Sequence, residues 1–276
     1  MNIREIREQI EFLDSIPAIP PVVKKLLKFV DSPTLSMHEV SDIIAKDQAL
    51  TAKLLKVVNS PIYGFPGRIS SVSQALILLG LNVVKGLLLS VSVVEIMEET
   101  MVGLWEHSLA TAIAAKALAS KKGQGEPEEV MISALLHDIG KVALKVRFPG
   151  PYKSALLMSE NEGFFIRESE ERVFSVGHAE AGSWLSRKWN FPISLIEPIA
   201  YHHRPTLARS APLQTAIVHI SDILVRARGI GFAGERFVPA VHQKTWETLA
   251  FSGQDIKEVL RVVDETIEET EGGIVA

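Results

Sequence analysis

Apolar residues recur at three- and four-residue intervals along most of the chain, and no useful stretch shows the two-residue alternation of a half-buried strand. Each patterned segment therefore predicts a helix. An amphipathic helix opens the chain and gives way to Ile16-Pro17-Ala18-Ile19-Pro20-Pro21, where prolines remove backbone donors and impose an extended entry. Val22, Val23, Leu26, Leu27 and Val30 then share one helical face, opposite Lys24, Lys25 and Lys28. Asp31-Ser32-Pro33-Thr34 reads as a turn. Ser36 with Glu39 makes a capping box for a helix over 37–46, and Asp47 is placed to cap a helix over 49–58. Asn59-Ser60-Pro61 stops that helix, and 63–67 is loop. A helix from Ser71 ends at Gly80, a residue type suited to helix C-termini, and Asn82 is expected to cap the next helix, 83–97.

The second half carries longer helices, several rich in alanine: 104–121, 127–139, 192–203 and 212–228. Pro127, Pro192 and Pro212 sit where a first-turn proline is tolerated. Residues 145–175 hold a polar helix, and the acidic run at 168–171 reads as a solvated face. A Gly- and Pro-punctuated loop at 232–242 precedes an amphipathic helix over 256–269. The fold class is all-α. Character changes near Thr100: one histidine, His38, precedes it and seven follow, which divides the chain into an N-terminal lobe, 1–100, and a second lobe, 101–276.

Composition narrows the function. The chain has 276 residues, no cysteine and a net charge of −4, so disulfides, thiolate zinc sites and iron–sulfur clusters are excluded and no general affinity for nucleic acid or anionic membrane is expected. The stretch from Ala75 to Met97 is apolar but interrupted by Asn82 and Lys85, leaving pieces shorter than the ~20 residues a bilayer demands. It reads as a buried helix pair or one long core helix. No secretory hydrophobic segment follows Met1, and a cytoplasmic location is expected.

The chemistry gathers around Ala134-Leu135-Leu136-His137-Asp138-Ile139-Gly140-Lys141. A histidine and an aspartate side by side in an apolar helix cannot both lie on one solvated stripe, so each needs a buried partner. A metal ion would satisfy both; a backbone carbonyl for the histidine and a local cap for the aspartate would also serve. Elsewhere, His107 lies beside Ala110, Thr111 and Ala114, His178 opens a helix, His202-His203 closes one, and Asp222 stands among Ile220, Ile223 and Leu224. Singly, each has an ordinary explanation: a satisfied histidine, cations at a helix C-terminus, or an exposed Asp222–Arg226 pair. Jointly, five helices each deliver an imidazole or carboxylate from apolar surroundings.

That order, His, His-Asp, His, His-His, Asp, with Gly140-Lys141 after the doublet, resembles the HD superfamily of metal-dependent phosphohydrolases, including its two-metal branch. The N-terminal half is similar to the bacterial HDOD domain (HD-related output domain) in Ile16-Pro17-Ala18-Ile19-Pro20, Ile44-Ala45-Lys46-Asp47-Gln48-Ala49-Leu50, Leu54-Leu55-Lys56-Val57-Val58-Asn59-Ser60 and Ala75-Leu76-Ile77-Leu78-Leu79-Gly80. Together the resemblance covers roughly residues 10 to 260. It implies a multi-helical HD-like bundle with an added N-terminal helical lobe, acting as a signalling output module. By the same resemblance His107, His137, Asp138 and Asp222 would hold one ion, and Asp138 would bridge to a second held by His178, His202 and His203. Lys141 would stabilise charge developing on a phosphoryl group, with Asp138 as the other catalytic residue. Five imidazoles and two carboxylates favour iron or manganese, with zinc as an alternative, over magnesium. Arg204-Pro205-Thr206 stands where the cyclic-di-GMP-hydrolysing relatives carry Gly-Tyr-Pro, and Gly103 stands one turn before His107 where a third metal would want a carboxylate. His219, three residues before Asp222, is either a support for a ligand or a core residue.

Two functions compete. One is hydrolysis of a phosphate ester or nucleotide at a two-metal site. The other is a non-catalytic signalling module with structural metals and a partner protein on the N-terminal lobe. The short helices of 36–58 superficially resemble a helix-turn-helix, but residues 1–100 hold 10 Lys/Arg against 11 Asp/Glu, too little positive charge for phosphate contacts to DNA. Asn59-Ser60-Pro61 and Tyr63-Gly64 read as packing residues, the asparagine ending a helix and the tyrosine covering the lobe junction, with a partner-binding surface as the alternative.

Overall fold

Small residues decide where the helices meet. In the computed structural model, which describes residues 2–11, 19–29, 36–123 and 126–271, every regular element is helical. The order is α1 (Ile3–Glu11), α2 (Pro21–Phe29), α3 (Met37–Ala45), α4 (Gln48–Val58), α5 (Val72–Thr100), α6 (Leu104–Lys122), α7 (Pro127–Leu136) and α8 (Ile139–Arg147). Then come α9 (Pro149–Glu162), α10 (Ile166–Phe174), α11 (His178–Lys188), α12 (Ile193–Tyr201), a short 3-10 turn (Pro205–Leu207), α13 (Pro212–Arg228), α14 (Gln243–Leu249) and α15 (Gly253–Glu271). The chain is all-α.

Helix α6 packs against α7, α13 and α15, and its contact positions are short: Ala110, Ala112, Ala114, Ala115 and Ala119 are all buried. Helix α5 lies against α2, α3 and α4 and also against α6, α7 and α8, so one apolar core continues through both halves of the chain. A Cβ at Gly86 of α5 would stand 2.2 Å from Ile132 Cγ2 of α7, which shows how closely those helices approach. The Val72–Thr100 helix is long and apolar enough to cross a membrane, yet 61% of its most apolar stretch is buried inside the protein, as in a core helix. Lys85, which interrupts that stretch, is buried too, with Nζ donating to the Trp189 and Asn190 carbonyls at 3.4 and 3.5 Å and lying over the Phe191 ring.

Local signals held where side-chain chemistry is local. The Ser36–Glu39 capping box forms, and Asp47 accepts from the Leu50 amide at 3.0 Å. Asn59 donates to the Leu55 and Ile69 carbonyls and accepts from the Ile69 amide, stapling the 59–69 loop, while buried Tyr63 stacks on Phe65 and lies under Lys116 of α6. Other boundaries moved. The break in α5 falls at Gly80 (φ 79°) and the helix resumes before Asn82, which is therefore not a cap. The helix expected over 127–139 ends at Leu136 and a new one starts at Ile139. Pro192 is an N-cap rather than a first-turn residue, and that helix stops at Tyr201, before the histidine pair. Pro17 and the turn of 31–34 lie outside the described residues.

Candidate metal centre

The junction between α7 and α8 sets the site. His137 closes α7 with its amide still bonded toward Ala134, and Asp138, at φ −96° and ψ 8°, stands between the two helices. This break turns both side chains inward from adjacent positions, which an unbroken helix would not allow. Two residues on, a Cβ at Gly140 would lie 1.9 Å from the His178 carbonyl oxygen and 2.6 Å from the Gly182 amide. Backbone therefore touches backbone where α8 crosses α11. That contact carries His178, the first residue of α11, up to Asp138.

The other side chains arrive from α6 (His107), the turn after α12 (His202 and His203) and the middle of α13 (Asp222). Asp138 divides its oxygens between them. Oδ2 lies 3.3 Å from His137 Nε2 and 3.9 Å from His107 Nε2, whereas Oδ1 lies 3.2 Å from His178 Nε2 and 4.0 Å from His202 Nε2. Asp222 Oδ1 lies 3.1 Å from His107 Nε2 and 3.9 Å from His137 Nε2. His203 Nε2 approaches His178 Nε2 to 2.9 Å. Among the described residues three groups have ligand atoms within 4.8 Å of one another: His107, His137 and Asp222; His178, His202 and His203; and His137, Asp138 and His202. Such groups can hold metal ions. All seven residues expected from the sequence converge on one spot, and of them only His203 is more than marginally exposed.

Hydrogen bonds on the outer ring nitrogens fix which nitrogens face inward. His137 Nδ1 lies 2.5 Å from the Ala134 carbonyl and His202 Nδ1 lies 2.9 Å from the Ile199 carbonyl. A carbonyl oxygen only accepts, so each Nδ1 carries the proton. His178 Nδ1 lies 2.6 Å from Glu170 Oε2, which fixes the same tautomer when that carboxylate is ionised. In neutral rings the Nε2 lone pairs then point at the centre, toward one another and toward carboxylate oxygens. His107 Nε2, His137 Nε2, His202 Nε2 and Asp138 Oδ1 are buried with no hydrogen-bond partner, and so is His107 Nδ1, whose ring no such bond orients. Lone pairs facing lone pairs in a dry interior call for a cation between them.

The electrostatics agree. Burial drives the pKa values of His178 and His202 well below normal, keeping both rings neutral as ligands must be, and burial lowers His107 to about 4 against the pull of Asp222. Burial acts against charge on His137 as well, but Asp138 and Asp222 outweigh it and raise its pKa. A field that holds a proton there would equally hold a metal ion. Burial alone would raise Asp138 and Asp222; instead His137 and Lys141 hold Asp138, and Arg226 and His107 hold Asp222, well below the usual carboxylate range.

A second set of residues supports the first. Glu170 Oε2 accepts from both the amide and Nδ1 of His178, at 2.8 and 2.6 Å, and Glu170 is fully buried. The acidic run at 168–171 is thus not uniformly solvated: Ser169 and Glu170 turn inward. Lys141 Nζ donates to Asp138 Oδ2 at 2.6 Å and to the Ala233 carbonyl at 2.7 Å, so its amine meets the aspartate rather than the open side of the site. The Asp222–Arg226 pair forms at 2.6 Å, but buried instead of exposed, and Arg226 continues to Glu235, whose other oxygen accepts from the Ile166 amide. His219 Nδ1 donates to the His202 carbonyl at 2.7 Å while its Nε2 accepts from the His242 amide, so it supports a ligand's backbone. Segment 230–242 is a strap over the centre, pinned where the Phe232 amide donates to the Gly103 carbonyl at 2.9 Å. A Cβ at Gly103, already at φ 88°, would stand 2.9 Å from the Phe232 nitrogen, which explains the glycine at that position.

The HDOD domain profile matches residues 16–205. The chain belongs to the HDOD family. The matched span includes every histidine of the centre but stops before Asp222. A crystal structure of an HDOD domain protein of unknown function from Geobacter sulfurreducens superposes with a TM-score of 0.72 at 27% identity, over 99% of this chain and 96% of that one. A protein from Shewanella amazonensis SB2B, named provisionally as a phosphohydrolase, shares the fold at TM-score 0.66 and 18% identity, over 98% and 95% of the two chains. An uncharacterised protein from Treponema pallidum (strain Nichols) is 28% identical over 195 residues, which is 69% of this chain but 38% of that protein. This HDOD chain thus spans well under half the length of that curated relative.

Proposed function

We propose that this HDOD chain holds two divalent transition-metal ions at the centre and hydrolyses a phosphate ester or a nucleotide as a signalling output. The observation that carries the reading is the division of Asp138: one oxygen faces the His107–His137–Asp222 group and the other faces His178 and His202. His107, His137 and Asp222 on one side of Asp138, and His178, His202 and His203 on the other, are the residues that would hold the two ions. The orphaned Nε2 atoms fit metal coordination. Five imidazoles with two carboxylates favour iron or manganese, with zinc as an alternative. Bound ions would supply Lewis-acid polarisation of a phosphoryl group. The chain's own residues do the rest: Lys141 holds Asp138 in place, Glu170 fixes His178, and His203 faces the approaching substrate. A second Shewanella amazonensis structure, named provisionally as a metal-dependent phosphohydrolase, has the same fold at TM-score 0.58 and 18% identity. The location that suits this role is the cytoplasm.

The burial of six ligands under the strap favours a second reading, in which the metals are structural and the N-terminal lobe, residues 1–100, recruits a signalling protein. Metal analysis combined with a phosphatase and phosphodiesterase screen, on wild type and His137→Ala in parallel, separates the two. Metal-dependent turnover that His137→Ala abolishes supports hydrolysis. Bound metal without turnover supports the structural role. No metal above background, after expression with iron and manganese supplied, overturns both.

A further inference from the structure

Two separate concavities share His203, the one ligand that reaches the surface, as part of their lining. The first, about 200 Å³, is bordered by His203 and Asp222 of the metal centre together with Arg167, Glu168 and Glu235, so a phosphate there depends on the bound metal. The second, about 300 Å³, shares His203 and Arg167 and runs outward past Arg204, Arg187 and Arg7 toward Trp184. Each alone is at or below the lower end of the ~300–1,000 Å³ range of small-molecule sites, whereas joined at His203 they fall within it.

The outer wall is unevenly charged. Four arginines border it against two carboxylates, Glu171 and Glu180. Arg204 and Arg167 both lean on the same carboxylate, Glu171, at 3.3 and 3.8 Å, so one negative charge serves two guanidinium groups. Arg7 reaches the wall from α1, held by Glu11 at 2.7 Å and with its guanidinium 6.0 Å from the Trp184 ring, so Arg187 and the Arg167–Arg204 pair carry most of the free positive charge. An arginine surplus in a concave site fits phosphate oxygens, which accept two parallel N–H bonds from each planar fork.

We propose that the two concavities form a single groove for a small molecule bearing two phosphates. One phosphate lies against His203 and Asp222, and the other sits in the arginine-lined end. This assignment rests on the metal-centre reading for the inner phosphate only; the outer end is defined by the arginines themselves. A nucleoside diphosphate, whose phosphates share an oxygen, and a sugar bisphosphate, whose phosphates stand at opposite ends of the sugar, both carry the required charge, and Trp184 in the lining favours the nucleotide.

The test is calorimetric titration of the metal-loaded full chain with ADP, AMP and fructose 1,6-bisphosphate, with metal content measured on the same samples. ADP is expected to bind about tenfold or more tighter than AMP, as one additional charge-assisted phosphate contact would give. Arg187→Ala with Arg204→Ala, both exposed in the folded protein, should remove most of that difference and leave metal content unchanged. Lys188→Ala, exposed on the same helix but bordering neither concavity, should leave it intact. Fructose 1,6-bisphosphate binding as tightly as ADP would keep the two-phosphate groove and remove the preference for a base. Equal affinity for ADP and AMP, or a double variant that still discriminates, would overturn the groove while the metal content stands. Absence of metal would instead count against the metal centre.

Discussion

Glu170 Oε2 lies 2.6 Å from His178 Nδ1 and 2.8 Å from the His178 amide, so one buried carboxylate fixes both the ring and the backbone of a candidate ligand. It holds His178 Nε2 toward Asp138. Burial pushes the Glu170 pKa up to about 8, so its ionisation is finely held, and an amide in its place keeps the shape but can never ionise. Glu170→Gln is expected to weaken metal binding by roughly 10- to 100-fold. Competition against a fluorescent chelator reads this directly, and unchanged affinity would mean that His178 needs no such support.

The crossing of α8 over α11 depends on Gly140 having no side chain. A methyl group there would collide with the His178 carbonyl and the Gly182 amide, neither of which can swing away as a side chain would. Gly140→Ala should therefore cost about 3 kcal/mol and loosen His178. Gly150, with nothing near its missing Cβ and no left-handed backbone, is the matching control. Gly150→Ala should be neutral or stabilising by about 0.5 kcal/mol. Urea denaturation of both variants checks the pair, and similar stabilities would contradict the close contact.

Far from the centre, the start of α15 carries a capping box in which Ser252 and Asp255 exchange hydrogen bonds, and Lys121 adds a further contact to Asp255. The Ser252 bonds are the larger cause of a depressed Asp255 pKa, about 2, and Lys121 follows. The folded value lies below the ~3.9 of an unfolded chain. The stability it contributes is therefore full above the unfolded value and is lost as pH falls through about 2. Ser252→Ala should return the pKa toward ~3.9 by more than Lys121→Ala does. Carboxyl NMR titration of the two variants decides it, and the reverse order would contradict the capping geometry.

Much of this was legible in the residues because the signals are local. Ser36 with Glu39, and Asp47 before an apolar run, are capping chemistries complete within four positions. The histidines and aspartates of the centre stood out because polar groups on apolar helices need partners, whichever helix supplies them. What escaped depended on distant parts of the chain. The break at His137-Asp138 lies two residues before the close approach of α11 at Gly140, and apolar spacing alone runs straight through it. Glu170 looks like any member of an acidic run until α10 is placed beside His178, 8 residues on. The Asp222–Arg226 spacing was visible, but its burial and the further contact of Arg226 to Glu235 were not. Gly80 displaced the expected cap at Asn82 because only glycine takes φ 79° without strain.

Metal stoichiometry across ligand variants tests the central claim most directly, because Asp138 faces both groups and His107 faces one. Native mass spectrometry and elemental analysis should find about two metal ions per chain in wild type, about one in His107→Ala and none in Asp138→Ala, with circular dichroism showing that each variant keeps its helices. A folded Asp138→Ala protein that still carries both ions, or a wild type that never holds more than one, would contradict the shared carboxylate.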